Sequence, residues 1–105
     1  MMQAEEIGAL EGKASLIAGR LRALSHDARL LVLCQLVKQG EVTAGSLTGT
    51  GGLSQSALSQ HLARMREDGI VAFRRDGQTL WYRIADDKIE KLMGELYQLY
   101  CAEEA

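Results

Sequence analysis

Two groups of side chains in this 105-residue chain are of types that can do chemistry. The first is the stretch LSQSALSQHLARMREDG, residues 53–69, in which serines, glutamines and a histidine alternate with leucines. The second is the pair Cys34 and Cys101. Hydroxyl, amide and imidazole groups at this density suit the recognition of a finely patterned polar surface, and thiols suit redox chemistry. What these groups do depends on the elements that position them.

Apolar periodicity predicts five helices, the first of which has a heptad-like seam. Ser25, Ser54 and Asp86 are each predicted to cap the helix that follows, and Gly40 is predicted to end the second helix. The third helix is the weakest prediction because glycines crowd it. The predicted helices cover residues 4–23, about 26–38, about 43–48, 54–69 and 86–101, of which the last two ranges begin at their caps.

The period changes to two in the segment IVAFRRDGQTLWYRI, residues 70–84. Two β-prone runs flank Asp76-Gly77, a dipeptide that is typical of tight hairpin turns. The sequence therefore predicts a β-hairpin directly after the fourth helix.

A short helix, a turn and a polar-faced second helix form a helix-turn-helix, and the hairpin adds a wing. The predicted fold class is mostly α with a small β-hairpin, a winged helix-turn-helix of order α-α-α-α-β-β-α in one domain, residues 1–105. The major groove of DNA accepts an α-helix, and serine, glutamine and arginine can contact base edges or phosphates. The predicted DNA-binding residues are Gln55, Ser56, Ser59, Gln60, His61, Arg64, Arg74, Arg75 and Gln78.

Each part of this interpretation has a simpler alternative. The polar face of the fourth helix would also suit an ordinary solvated surface. His61 lies beside Leu58 and Leu62 in the pattern and would also suit a hydrogen bond at the edge of the core. Arg64 and Arg66 would also suit a solubilising role.

Composition restricts the class of protein. The chain is 47% hydrophobic and 25% charged, with a net charge of −2, as is typical of a globular domain. Residues 54–83 carry five arginines against three acids, whereas residues 84–105 carry six acids against two lysines. One end of the fold would thus attract a polyanion and the other would repel it. No membrane span, secretion signal or catalytic motif is visible, so we expect a cytoplasmic protein that is not an enzyme.

Three segments resemble the ArsR/SmtB family of winged-helix repressors: LRALSHDARLLVLCQL, LSQSALSQHLARMREDGIV and RRDGQTLWYRI. The resemblance covers about residues 20–101. It implies a homodimer built by the helices at 4–23 and 86–101, with the fourth helix in the major groove of double-stranded, palindromic operator DNA. Half-sites would lie roughly 34 Å apart. Asp27 departs from the proline that is usual in the family.

The metal sites of the family are not matched. No cysteine or histidine lies near the start of the third helix, and no histidine lies on the last. We therefore expect no metal and no cofactor, although a site shared across the dimer keeps a metal- or metalloid-responsive repressor as an alternative. A winged-helix protein-interaction module that binds no DNA is a second alternative.

The cysteines resemble those of the dithiol, persulfide-sensing subgroup of the family. That resemblance implies a disulfide or polysulfide link between Cys34 and Cys101, formed by reactive sulfur species or oxidants, that changes operator affinity. Composition alone instead favours Cys34 as a small buried hydrophobe and Cys101 as an exposed thiol near the end of the chain, and the resemblance reverses that preference.

Overall fold

A computed structural model of the chain describes residues 2–101, so residue 1 and residues 102–105 of the predicted domain lie outside the described residues. The order of elements agrees with the predicted winged helix, with one additional short strand. The helices are α1 (Ala4–Leu24), α2 (Asp27–Gln39), α3 (Ala44–Leu47), α4 (Gln55–Glu67) and α5 (Asp87–Tyr100), and the strands are β1 (Val42–Thr43), β2 (Val71–Asp76) and β3 (Thr79–Ile84).

Side-chain caps fix the starts of the helices. The Ser54 hydroxyl accepts a hydrogen bond from the backbone N–H of Ala57 at 3.1 Å, and Asp86 accepts from two N–H groups of α5. The predicted Ser25 cap is wrong. His26 caps α2 instead, because the Ser25 N–H bonds back to Arg22 and Ser25 thereby closes α1.

The segment between α3 and α4 is short and glycine-rich, as predicted, and contains a 3-10 turn at Thr50–Gly52. Gly51 has a φ of +63°, and a Cβ there would lie 3.1 Å from the Ala28 backbone. A glycine is thus required both by the left-handed conformation and by the close approach of this turn to α2.

The wing is a hairpin in which Asp76 pairs with Thr79, so Gly77 and Gln78 form the two-residue turn. Gly77 has a φ of +63°, as such turns require. β1 adds a third strand beside β3, giving the sheet order β1-β3-β2. Two residues are too few for a periodicity signal, and β1 was therefore not predicted.

One hydrophobic core joins the helices to the sheet. Leu58, Leu62 and Met65 point inward from α4, as the spacing predicts, and leave the polar face of this helix outside. On α2 the most buried side chains are Val32, Leu33 and Leu36, while Leu30, Cys34 and Val37 pack at the margin of the core. The buried face of α2 is therefore a wide one, with Val32, Leu33 and Leu36 at its centre.

Helix α1 differs from the rest of the chain because residues 2–17 are all exposed. Its apolar side chains Ile7, Leu10, Ile17 and Leu21 are between 39% and 52% exposed. The predicted seam thus exists but is left largely uncovered, and only its C-terminal part, at Ile17 and Leu21, lies beside α5. No helix among residues 2–101 combines the length and the apolar character needed to cross a bilayer.

Candidate nucleic-acid interface

The outer face of α4 carries the predicted recognition residues. Gln55, Ser56, Ser59 and Gln60 are all exposed: Ser56, Ser59 and Gln60 lie away from the buried leucines, and Gln55 lies at the exposed first turn of the helix. Because α4 is anchored to the core along one face, the polar face is presented as a rigid ridge. A helix of this diameter fits the major groove, and its serines and glutamines can then reach base edges and phosphates.

His61 lies at the side of this ridge and is only half-exposed. Its Nδ1 accepts a hydrogen bond from Arg29 Nε at 2.9 Å, and its ring lies 4.5 Å from that of His26. Burial lowers the pKa of His61, and the nearby charges of Arg29 and His26 lower it further. The geometry therefore matches the alternative of a hydrogen bond at the edge of the core, in which His61 ties α4 to α2.

The wing places its predicted residues in two different settings. Arg75 and Gln78 are exposed at and beside the turn. Arg74 instead makes a bidentate ion pair with Glu41, with Nε and Nη2 2.9–3.0 Å from the carboxylate oxygens, and its guanidinium lies 5.4 Å from the centre of the Trp81 ring. The pair lowers the pKa of Glu41 and raises that of Arg74. Arg74 thus fastens the wing to the body of the domain.

Arg64 is exposed near the end of α4, and its Nε lies 3.9 Å from an Asp68 carboxylate oxygen. An ion pair at this separation between exposed groups is weak, so the guanidinium remains available to a phosphate. Arg66 is two residues further along and therefore lies on the other side of α4, where its guanidinium stacks 5.0 Å from the centre of the Phe73 ring of the wing.

The sequence did not identify Arg29 and Glu41 as partners of predicted site residues. Arg29 lies 32 positions from His61, and Glu41 lies 33 positions from Arg74. Contacts of this range leave no periodic signal, and only the packed fold brings the side chains together.

The two cysteines are free and lie where α2 and α5 pack against each other. Cys34 is half-buried on α2, and Cys101 is exposed at the C-terminal cap of α5. The pKa of the Cys34 thiol is raised, first by burial and then by electrostatic interaction with Cys101. The pKa of Lys38 is also raised, mainly by a 3.0 Å hydrogen bond from Nζ to the Tyr97 hydroxyl. Lys38 and Tyr97 each lie four residues from one of the cysteines, so their hydrogen bond indicates that the thiols share one region of the surface.

Metal-ligating side chains are not clustered in the part of the chain that the structure describes. Within residues 2–101, no three residues of the types His, Cys, Asp or Glu form a group that could hold a metal ion.

The polar ridge of α4 and the basic wing beside it define a winged helix-turn-helix DNA-binding protein. The sequence profile of the family described as "Bacterial regulatory protein, arsR family" matches residues 26–72. The chain is 42% identical to the HTH-type transcriptional regulator YgaV of Escherichia coli K12, over 91% of this chain and 97% of that protein. The chain therefore belongs to the arsR family of bacterial regulatory proteins, as a DNA-binding transcriptional regulator.

Solved structures give the same result. The crystal structure of the transcriptional repressor BigR from Xylella fastidiosa superposes with a TM-score of 0.81, at 39% identity, covering 96% of this chain and 99% of that one. Reduced HlyU from Vibrio cholerae N16961 also superposes with a TM-score of 0.81, at 36% identity, covering 89% of this chain and 97% of that one. The predicted family and fold class are confirmed.

Proposed function

We propose that this regulator is a homodimeric repressor that reads a palindromic operator, and that a link between Cys34 and Cys101 switches its affinity for DNA. The observation that carries the proposal is the common location of the two thiols, since the 3.0 Å hydrogen bond between Lys38 and Tyr97 joins α2 to α5 four residues from each cysteine. Its similarity to the transcriptional repressor BigR supports repression as the output.

The DNA-reading part rests on α4 and the tip of the wing. Four exposed polar side chains on α4 face outward, and Arg75 and Gln78 extend beside them. Base contacts from α4 would give specificity, and arginine contacts to phosphates would give affinity that falls as salt rises.

Dimerisation rests on the apolar surface that a single chain leaves uncovered. The seam of α1 is exposed, and so are Leu99 and Tyr100 at the end of α5, each at 73%. A helix with an uncovered apolar face gains stability when that face packs. Burial against a second copy removes this surface from water and places two α4 helices about one DNA turn apart.

The chemistry of the switch needs an oxidant. With a persulfide donor RSSH, one cysteine thiolate attacks the outer sulfur and releases RSH, which leaves a cysteine persulfide. The second thiolate attacks the inner sulfur and expels hydrogen sulfide, so two thiols and RSSH give one disulfide, RSH and H₂S. The raised pKa of Cys34 reduces its thiolate fraction near neutral pH, so its reaction accelerates as pH rises.

The link would act through the packing of α2 against α5. Cys34 belongs to the α2 helix that also packs on the 3-10 turn before α4, whereas Cys101 ends the proposed dimer helix. A disulfide holds Cα atoms about 4.4–6.8 Å apart, so forming it biases the relative position of the two helices. Such a bias changes operator affinity if the two forms of the dimer bind DNA unequally.

The test combines intact mass spectrometry with operator binding before and after treatment with a persulfide donor. The proteins are wild type, Cys34→Ser, Cys101→Ser and the double variant, and the duplex is one selected from a random library by the reduced wild type. We expect a linked product and a changed dissociation constant in the wild type only. Full linkage with an unchanged dissociation constant would refute the switch, and salt-insensitive or absent DNA binding by the reduced protein would refute the repressor.

A further inference from the structure

A cleft of about 600 Å³ lies between the second half of α1, the start of α2 and the end of α4, open to solvent along one side. Of the predicted DNA-binding residues, Arg64 alone belongs to its lining. Its charged lining consists of four arginines and one acid: Arg20, Arg22, Arg29, Arg64 and Asp68.

The positive charge in this cleft is only partly balanced. Arg20 lies 3.4 Å from a carboxylate oxygen of Asp86 and donates a hydrogen bond to the Asp68 carbonyl. Within residues 2–101, neither Arg22 nor Arg29 takes part in an ion pair. Arg29 is instead held by the Ala23 carbonyl and by His61. In a chain whose net charge is −2, this is a local excess of guanidinium groups in a concave site.

The cleft lies on the flank of α4 that is opposite the wing. At about 100° per residue, Arg64 and Asp68 project roughly opposite to Ser59 and Arg66 around the helix axis. The Arg66 side faces the wing, because Arg66 stacks over Phe73 of β2. Arg64 and Asp68 face the cleft.

This position matters because of the dimensions of DNA. The major groove is about 12 Å wide and an α-helix with its side chains is about 10–12 Å in diameter. A helix that fills the groove therefore has a phosphate backbone running along each of its flanks. The wing can contact one of them, and the cleft faces the other.

We infer that the cleft is a second phosphate-binding site for DNA, in which Arg22 and Arg64 contact the backbone on the flank of α4 away from the wing. The inference rests on the proposed DNA-reading function and extends its footprint to α1. Arginine suits this role because its planar fork binds phosphate oxygens through two parallel hydrogen bonds. Arg20 and Arg29 line the site and add positive charge, while their own hydrogen bonds hold its walls together.

The experiment measures the salt dependence of binding to the selected operator duplex by fluorescence anisotropy. The variants are Arg22→Gln, Arg22→Lys and Arg22→Gln combined with Arg64→Gln. Lys91→Gln is the matched control, because it removes one positive charge from an exposed position on α5. The slope of log affinity against log salt falls by about 1 for each phosphate contact that is lost.

We expect Arg22→Gln to lower the slope by about 1 and to weaken binding about fivefold to tenfold near 0.1 M salt. The double variant should lose about 2 in slope, whereas Arg22→Lys and Lys91→Gln should stay near the wild type. The ratio of the dissociation constants for the operator and for a mutated operator should not change, because phosphate contacts do not distinguish between bases.

Three results would overturn the inference while leaving the proposed function intact. The first is a wild-type slope in the double variant. The second is a weaker dimer of Arg22→Gln in sedimentation, which would assign the cleft to acidic residues of a second copy. The third is a salt slope for Arg22→Gln that equals that of the wild type, combined with a thermal shift. If pyrophosphate raises the melting temperature of the wild type but not that of Arg22→Gln, the cleft is a site for a small anion. If the wild type itself binds no duplex in a salt-dependent way, the proposed function fails first.

Discussion

Helix α1 and the body of the domain, which we define as the elements from α2 to β3, are both rich in apolar residues. Their surroundings are opposite. In the body, Val32, Leu33 and Met65 are fully buried, and α2, α4 and α5 pack against strands of the sheet. In α1, residues 2–17 are exposed and the apolar seam faces water. The comparison teaches that periodicity reports which face of a helix will be covered, but not whether the chain itself provides the cover. The body is stabilised within one chain, and we infer that α1 is stabilised by a second one.

The largest expected effect comes from the body. Leu33→Ala removes a side chain that is 0% exposed and leaves a cavity, so we expect the free energy of unfolding to fall by about 2–5 kcal/mol. Urea unfolding followed by circular dichroism measures this loss. Leu31→Ala, on the same helix but 50% exposed, is the control and should cost less than about 1 kcal/mol. Equal losses in the two variants would contradict the assignment of the buried face.

A second, smaller effect tests α1. Ile17→Ala removes apolar surface from the proposed interface, and a two-fold interface contains the substitution twice. We expect the dimer dissociation constant to rise about tenfold to a hundredfold in analytical ultracentrifugation. Leu31→Ala again serves as the control, because it shortens an exposed apolar side chain outside α1. A dissociation constant for Ile17→Ala that matches the wild type would place the dimer contact elsewhere.

The smallest expected effect concerns the junction between α2 and α4. The pKa of His61 is lowered, so the neutral form that accepts a hydrogen bond from Arg29 is favoured by folding. This contribution is present above the ordinary histidine pKa and is lost as pH falls through the lowered one. An NMR titration of the His61 ring should give a midpoint below that of an unfolded histidine. The free energy of unfolding of His61→Gln should fall less between about pH 7 and pH 5 than that of the wild type. A midpoint at or above the ordinary value would remove the proposed link.

The fold was predictable in large part because its signals are local. Leucine spacing in α4 predicted which side is buried, and Asp76-Gly77 predicted the wing. The errors are also instructive. Ser25 fits the composition of a cap, yet the chain turns one residue later, and His26 takes the role because its Nδ1 reaches the Ala28 N–H. β1 is only two residues long and exists because β3 offers it an edge.

The candidate site was predictable as a list of exposed polar residues, but not as a set of roles. His61 and Arg74 were both predicted to contact DNA, and the structure gives both of them partners within the chain. Conversely, Arg22 carried no signal in the sequence, since one arginine at the end of a helix is ordinary. Arg22 becomes a candidate phosphate-binding residue only because the fold places it beside three other guanidinium groups.

By itself the sequence determined the order of the elements, the polar face of α4 and the presence of two thiols, because each depends on residue types and spacings of a few positions. Tertiary structure alone decided that Cys34 and Cys101 share one region, that Glu41 holds the wing, and that a basic cleft flanks α4 opposite to it. The physical reason is that these arrangements join residues tens of positions apart. Packing of the apolar core fixes such distances, and no local pattern encodes them.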